Sequence, residues 1–485
     1  MPKSLIFLGA ASCIVMILGS PLKAQNMDQE TSGPATADES TVTYQPAISQ
    51  TNQKTPSYAG IAIPDDHPLT GVQSMSLYNS AISHDYLLPS ITATTQLNTN
   101  PSTPGYSGSN SITYLLGHLD LYHTSYRSTL QLDYTGGEML STNGGSNNSP
   151  IQDLEFAETI RWQRASLLLA DEANYLSQSP FGYGGVGGLG YLGGLSNLGL
   201  GGSLGGVTPF LDTSVVPNQT ISTAWAPRLS NAAVSQLEFQ FTPRSSWTIS
   251  GSYGLLHFFD VGYVNSTNDS VQIGYNYQLN QISSLAILYR FDAFRFLGRP
   301  ERFDDDVAEL AYARRLTDRL SFQAAAGPDL VIVRGEPVNS GKQYFWAANT
   351  SLNYQFTKMN VSASYYHLPT SGSGVLAGAY TDQLLGTVQR VLPSRWSATV
   401  SMGYARNRSI EPANQASSTE AFHSWYTAFQ VSHPLGSGIS MFAAYEANIQ
   451  GAATAGCSIS GCASGSIANE FTVGFNWYLR PTVLQ

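Results

Sequence analysis

The chain of 485 residues has few charged side chains. Asp, Glu, Lys and Arg make up 12% of it, about half of the ~25% that is usual in soluble domains. Acidic residues outnumber basic ones, 33 to 23, and no basic stripe runs along the sequence. Nucleic acid is therefore not an expected partner. Beyond the N-terminal leader, no apolar run reaches the ~18 residues that a membrane-spanning helix requires.

Cysteine is also scarce, with three in the whole chain. Cys13 lies in the leader, whereas Cys457 and Cys462 lie close together in a segment rich in Gly, Ser and Ala. In an exported protein this spacing predicts a small disulfide loop, with two free thiols as the alternative. No His or further Cys lies nearby, so a metal site is not expected there.

Recognisable catalytic and cofactor motifs are missing. Alternation along the strands does not bring a Ser, a His and an acid together, so no enzyme and no cofactor is predicted.

Gly188, Gly190 and Gly193 spell G-x-G-x-x-G, but no strand precedes them and no helix follows, as a nucleotide loop would need. The acidic run 304–306 with Glu301 has the oxygen ligands that calcium prefers; a loop charge run without a ligand is the alternative.

The N-terminus is typical of an exported protein. Residues 1–24 carry Lys3, an apolar stretch from Leu5 to Leu18 and a small residue, Ala24, before a plausible cleavage point, which predicts a secretory signal peptide. Residues 25–88 are rich in Ser, Thr, Gln and Pro and show little periodicity. We expect a flexible periplasmic segment there, with a short plug inside a barrel as the alternative.

The rest of the chain, 89–485, alternates apolar and polar residues, most clearly near its end. Phe471, Val473, Phe475, Trp477 and Leu479 alternate with polar residues or Gly. A period of two with one wholly apolar face predicts a β-strand. The run is long enough to cross a bilayer at a tilt, which takes roughly 9–11 residues.

The same rhythm recurs backward to about residue 90, with one irregularity. In the stretch 153–162, Glu158 falls on the apolar face. A carboxylate facing lipid is costly, so its position implies a bulge, a place near the membrane interface, or a different register.

Short and long connections alternate between the predicted strands. Short ones fall near 243–246 and 316–319, and the longest spans about 176–231 and contains the glycine-rich segment 182–206. Short periplasmic turns and longer outer loops are typical of membrane barrels. We therefore predict an all-β fold: a transmembrane, antiparallel, up-and-down β-barrel of about 18 strands, with 16 as the nearest alternative. The glycine-rich segment is interpreted either as a constriction in the lumen or as a disordered outer loop.

The leader, the alternating strands, the loop asymmetry and the aromatic last strand resemble porin-like outer-membrane β-barrel proteins of Gram-negative bacteria, over residues 90–485. The resemblance implies an outer-membrane location, reached by export with a cleaved signal peptide. It also implies contact with outer-membrane lipid and lipopolysaccharide, insertion by the barrel-assembly machinery, and a possible homo-oligomer. The chain departs from this family at its end, where residues 480–485 follow the last strand in place of a C-terminal aromatic residue.

The leading functional hypothesis is a passive pore through which small solutes diffuse. The alternative is a barrel without open conduction, acting as a surface scaffold, an adhesin or the outer-membrane partner of a polysaccharide export system. Charged residues that line a pore tune its selectivity, and mixed signs predict no sharp ion preference. By alternation, the pore-lining candidates are Arg127, Asp133, Asp153, Glu155, Arg161, Glu238, Arg290, Glu309 and Arg315.

Overall fold

The computed structural model describes residues 85–99, 109–141, 148–176, 221, 227–335, 341–410, 421–436, 438–452, 466–480 and 482–483. These residues form one antiparallel sheet of eighteen long strands and one very short strand, with a 3-10 turn at Pro393–Arg395. The strands are β1 (Tyr86–Thr99), β2 (Ser109–Thr124), β3 (Ser128–Ser141), β4 (Ser149–Arg161), β5 (Ala165–Leu176), β6 (Arg228–Thr242), β7 (Ser245–Phe258), β8 (Ser266–Asn280), β9 (Ser283–Phe296), β10 (Arg302–Thr317), β11 (Leu320–Arg334), β12 (Gly341–Gln355), β13 (Met359–Thr370), β14 (Ala379–Val391), β15 (Ser397–Ser409), β16 (Ala421–Gly436), β17 (Ile439–Ala452), β18 (Ser466–Tyr478) and β19 (Thr482–Val483).

The sheet closes on itself. Each long strand pairs with the next along the chain, and β18 returns to pair with β1, so that Trp477 lies opposite Ile91 and Phe471 opposite Leu97. The predicted barrel of about 18 strands is confirmed, and the 16-strand alternative is wrong. The short strand β19 extends the seam by pairing Thr482 with Leu87.

Alternation along β18 places its apolar residues on the outside, as predicted. Phe471, Val473, Phe475 and Trp477 are 50–58% exposed, whereas Thr472 between them is buried. Closure leaves β18 paired on both sides, so an apolar outer face of this kind is compatible with hydrocarbon.

Glu158 lies on the outward face of β4, toward the strand end that leads into the turn 162–164. It is opposite Leu130 of β3 and Leu169 of β5, and neither ladder shows a register shift. The interface explanation therefore holds, because the cost of a carboxylate on the lipid side falls toward the membrane surface.

The connections at the two ends of the barrel differ in length, as predicted. One end has the short turns 125–127, 162–164, 243–244 and 281–282, and the other has longer connections such as 259–265 and 371–378. The leader 1–24, most of the predicted segment 25–88, the glycine-rich segment 182–206, and Cys457 and Cys462 lie outside the described residues. The barrel begins at Tyr86, slightly before the predicted boundary at 89.

The wall is irregular between β12 and β13. Their ladder runs only from the pair Gln355–Asn360 to the pair Ala348–His367. The outer part of β12, residues 341–347, therefore has no β13 partner within the described chain. The pairing of β13 with β14 nevertheless continues up to Thr370 and Ala379, so the tip of this hairpin leaves the wall.

Candidate functional site: the barrel interior

Residues 367–381, which we name the lumen hairpin, are buried throughout. They comprise the end of β13, the connection 371–378 and the start of β14. The apolar side chains of Val375, Leu376 and Ala379 pack with Ile221 and Phe422, the latter on β16. A connection at the barrel rim would ordinarily be exposed, so complete burial means that this hairpin folds inward.

The tip of the lumen hairpin contacts strands that are distant along the sheet. The carbonyl oxygen of Gly374 accepts a hydrogen bond from the backbone N–H of Val264, with 2.8 Å between nitrogen and oxygen. Gly374 packs against the ring of Phe258 on β7, and Gly378 packs against the ring of Phe303 on β10, too closely to admit a Cβ atom at either position. The hairpin therefore reaches across the interior to the wall formed by β7–β10.

Tyr380 ties the base of the lumen hairpin to the inward face of β11 and β12. Its hydroxyl donates a hydrogen bond to the carboxylate of Asp329 and lies 3.2 Å from the carbonyl oxygen of Trp346. Its ring centroid lies 4.3 Å from that of Phe345 and 4.7 Å from that of His367. These contacts cover the inward side of the break in the β12–β13 ladder.

The backbone of the connection needs unusual conformations. Gly372, Gly374 and Gly378 have φ between 74° and 88°, and Ser373 has φ 57°. Glycine adopts this region without a steric penalty, which explains a glycine-rich tip around a short apolar segment. Sequence reasoning missed this feature; the available signal was the run Val375–Ala377 between glycines, in an otherwise polar connection.

A row of carboxylates crosses the inward face of four adjacent strands. Asp120 of β2 lies opposite Asp133 of β3, Asp133 lies opposite Glu155 of β4, and Glu155 lies opposite Glu172 of β5. Asp153 lies on the same face of β4 as Glu155 and is 1% exposed. Alternation along each strand predicts which residues face inward, but only the pairing register brings these five together.

Further acids face the interior elsewhere in the barrel. Asp292 of β9 lies opposite Asp305 of β10 and accepts a hydrogen bond from Nε of Arg290 at 2.8 Å. On the closing strands, Glu470 lies opposite Glu446 and accepts a hydrogen bond from Asn98 at 2.7 Å. Among the described residues, the buried arginines are Arg228 and Arg290, so carboxylates dominate the buried charges of the barrel.

The predicted pore-lining residues fall into three groups: buried residues on strands, exposed residues at turns or strand ends, and one partly exposed residue. Asp133, Asp153, Glu155, Glu238, Arg290 and Glu309 are buried side chains on strands. Arg127 is exposed in the turn between β2 and β3, and Arg161 is exposed at the last position of β4. Arg315 is partly exposed near the end of β10, next to a register shift.

The acidic run 304–306 does not form one cluster. Asp305 is completely buried, whereas Asp304 and Asp306 lie on the opposite face of β10. Asp304 pairs with Arg295 at 2.8 Å and with Arg334 at 3.3 Å. Strand alternation therefore separates the side chains that sequence proximity suggested as a calcium site.

The described residues contain no helix long and apolar enough to cross a membrane. No protein-family model matches the chain, and no curated protein sequence matches it.

Solved structures of outer-membrane proteins are similar to 81–82% of this chain at low sequence identity. OccK2 (OpdF) of Pseudomonas aeruginosa is 11% identical with a TM-score of 0.42, and the match covers 81% of this chain and 98% of that one. OpdK of the same organism, solved with vanillate, is 8% identical with a TM-score of 0.40, covering 82% and 99%. OccAB3 of Acinetobacter baumannii is 12% identical with a TM-score of 0.40, covering 82% and 100%. The strand number and the closure of the present barrel follow from its own ladders.

Proposed function

We propose that this protein is a passive channel for small solutes in the outer membrane of a Gram-negative bacterium. The observation that carries the proposal is the opposite character of the two faces of a closed barrel. Outward residues such as Phe475 and Trp477 are apolar and exposed, whereas inward residues such as Thr92, Gln96 and Asn476 are polar. This division is typical of barrels that surround a polar path through a membrane.

The interior charge favours cations. The buried carboxylates greatly outnumber Arg228 and Arg290 among the described residues, and a cleft lined by one sign of charge concentrates ions of the opposite sign. This proposal differs from the sequence-based expectation of no sharp preference, because Asp120, Glu172 and Glu446 were not among the pore-lining candidates. We therefore infer a channel that favours cations and cationic solutes over anions.

The lumen hairpin is the proposed constriction of this channel. It crosses the interior near the end with the longer connections, and its residues 375–377 are apolar and buried. Loops that fold into a wide barrel reduce the cross-section available to solutes. The position of this hairpin would therefore limit the conductance of the channel.

Single-channel recording of the refolded full chain in planar bilayers tests the proposal. Two deletions serve as a matched pair: residues 372–377 in the lumen hairpin and residues 182–206 in the glycine-rich segment. We expect stable conductance steps from the native chain and larger steps after the first deletion, because only that deletion removes the described constriction.

If the conductance steps become larger only after deletion of residues 182–206, the constriction is formed by the glycine-rich segment and not by the lumen hairpin. An absence of steps in all three proteins, each shown to be folded by its heat-dependent migration in detergent gels, would contradict the channel function.

A further inference from the structure

Asp153, Glu155 and Glu172 form a compact group in the wall between β4 and β5. One carboxylate oxygen of each lies within 4.8 Å of those of the other two. Glu155 and Glu172 are opposite each other in the ladder, and Asp153 is the next inward residue along β4. All three are at most 3% exposed, so the group concentrates negative charge where water screens it little.

Asp153 is the most informative member of the group. It is 1% exposed, and neither of its carboxylate oxygens accepts a hydrogen bond in the described structure. The two polar residues opposite Asp153, Thr135 on β3 and Asn174 on β5, make hydrogen bonds to other side chains. The Thr135 hydroxyl shares one with His118, and the side-chain amide of Asn174 donates one to Glu172 at 3.3 Å. A buried carboxylate without a hydrogen-bond donor is costly unless a cation or a proton compensates it.

We propose that these three carboxylates bind a divalent cation, with Ca²⁺ as the preferred ion. Calcium takes oxygen ligands at 2.3–2.6 Å, so two oxygens on one ion lie at most about 5 Å apart, which matches the spacing of the group. Asp133 of β3, opposite Glu155, provides a further carboxylate beside the site. The flexible geometry that Ca²⁺ accepts suits ligands fixed in position by two paired strands better than the strict octahedron of Mg²⁺.

The position of the site gives the ion a structural role in the wall. The bound cation would neutralise carboxylates on neighbouring strands whose like charges otherwise repel each other across the β4–β5 ladder. This inference goes beyond the channel function and does not depend on it, since binding is measured in detergent without a current.

Isothermal titration of the refolded full chain with CaCl₂, after dialysis against a chelator, tests the site. Asp153→Asn and Glu172→Gln remove one charged ligand each. Glu158→Gln and Asp171→Asn are the matched controls, because they make the same changes on the same two strands but on the outward face. We expect one Ca²⁺ per chain, an affinity lower by at least ~10-fold in each ligand variant, since affinity follows ligand charge, and no change in the controls.

A thermal-unfolding series in the same detergent separates loss of the ligand from loss of the fold. The native chain and both controls should gain stability on addition of Ca²⁺, whereas Asp153→Asn should unfold cooperatively and gain none, because only binding to the folded state stabilises it. Absence of calcium binding in the native chain, or unchanged binding in Asp153→Asn, would overturn the proposal. Either result would leave the conductance experiment, and the channel function, unaffected.

Discussion

Tyr380 holds the lumen hairpin against the wall through its hydroxyl. Tyr380→Phe removes the donor to Asp329 and leaves a buried carboxylate oxygen without that partner. We expect a loss of ~1–3 kcal/mol in the free energy of unfolding, the usual cost of an unmade buried hydrogen bond, measured by urea titration in lipid vesicles. Tyr344→Phe is the control, because Tyr344 is 78% exposed on β12; equal losses in the two variants would exclude a specific role for the Tyr380 hydroxyl.

Gly374 combines a positive φ with close packing, and the two effects are separable. Gly374 has φ +74° and lies against Phe258, whereas Gly298 has φ +78° and open space around it. Gly298→Ala should cost only the ~1–2 kcal/mol of a left-handed alanine. Gly374→Ala should cost ~1–3 kcal/mol more, because the methyl group also overpacks the interior.

The same urea titration measures both alanine variants. A Gly374→Ala variant no less stable than Gly298→Ala would show that the hairpin tip is not packed on β7. Adding Phe258→Leu should recover part of the extra loss, since it makes room for the new methyl group.

The hairpin tip also shows where prediction from sequence stops at the level of single residues. Alternation correctly assigns Phe475 and Trp477 to the outside because lipid contact requires it of each residue separately. It assigns no such role to Val375 and Leu376, since their burial depends on Ile221 and Phe422, which are far away in the sequence.

Within the described ladders, the outer part of β12 lacks a strand partner on one side. Residues 341–347 pair with β11 but have no partner on β13 among the described residues. Side chains make some of the contacts that β13 does not provide. The carbonyl oxygen of Trp346 lies near the Tyr380 hydroxyl, and the side-chain amide of Gln343 donates a hydrogen bond to the carbonyl oxygen of Ile410. The wall is therefore weakest where the hairpin departs from it.

Amide hydrogen exchange of the protein in detergent tests this weakness. We expect alternate amides of residues 342–346 to exchange faster than those of residues 330–333 in β11, because exchange follows the local opening of hydrogen bonds. The segment of β11 is the internal control, since it pairs with strands on both sides. Equal protection in the two segments would indicate that the β12–β13 ladder extends to the rim.

At the scale of the whole molecule, the excess of buried carboxylates is the basis of the proposed preference for cations. Reversal potentials in a KCl gradient should show cation selectivity that is clear near 0.1 M and weak near 1 M salt, because the screening length falls from ~10 Å to ~3 Å. Glu238→Gln with Glu309→Gln, two of the pore-lining candidates, should reduce the selectivity, whereas Glu158→Gln on the outer face should not. Anion selectivity of the native chain would contradict the proposed preference.

The sequence by itself determined the wall of this protein. A period of two, an apolar face and alternating connection lengths are properties of short segments, and they are sufficient to predict an antiparallel barrel of about 18 strands, with 16 left as the alternative until the ladder was seen to close. Each strand that crosses a bilayer must present apolar residues to lipid whatever its neighbours are. The apolar alternation can therefore be read from each strand separately, and it recurs from strand to strand.

Only the tertiary structure decided the interior. The break between β12 and β13, the inward fold of residues 367–381 and the meeting of Asp153, Glu155 and Glu172 depend on strand register and on contacts across the barrel. Polar residues on the inner face are under no constraint as uniform as contact with lipid, so their pattern in the sequence does not reveal which of them meet. The register and closure of the ladder place them together.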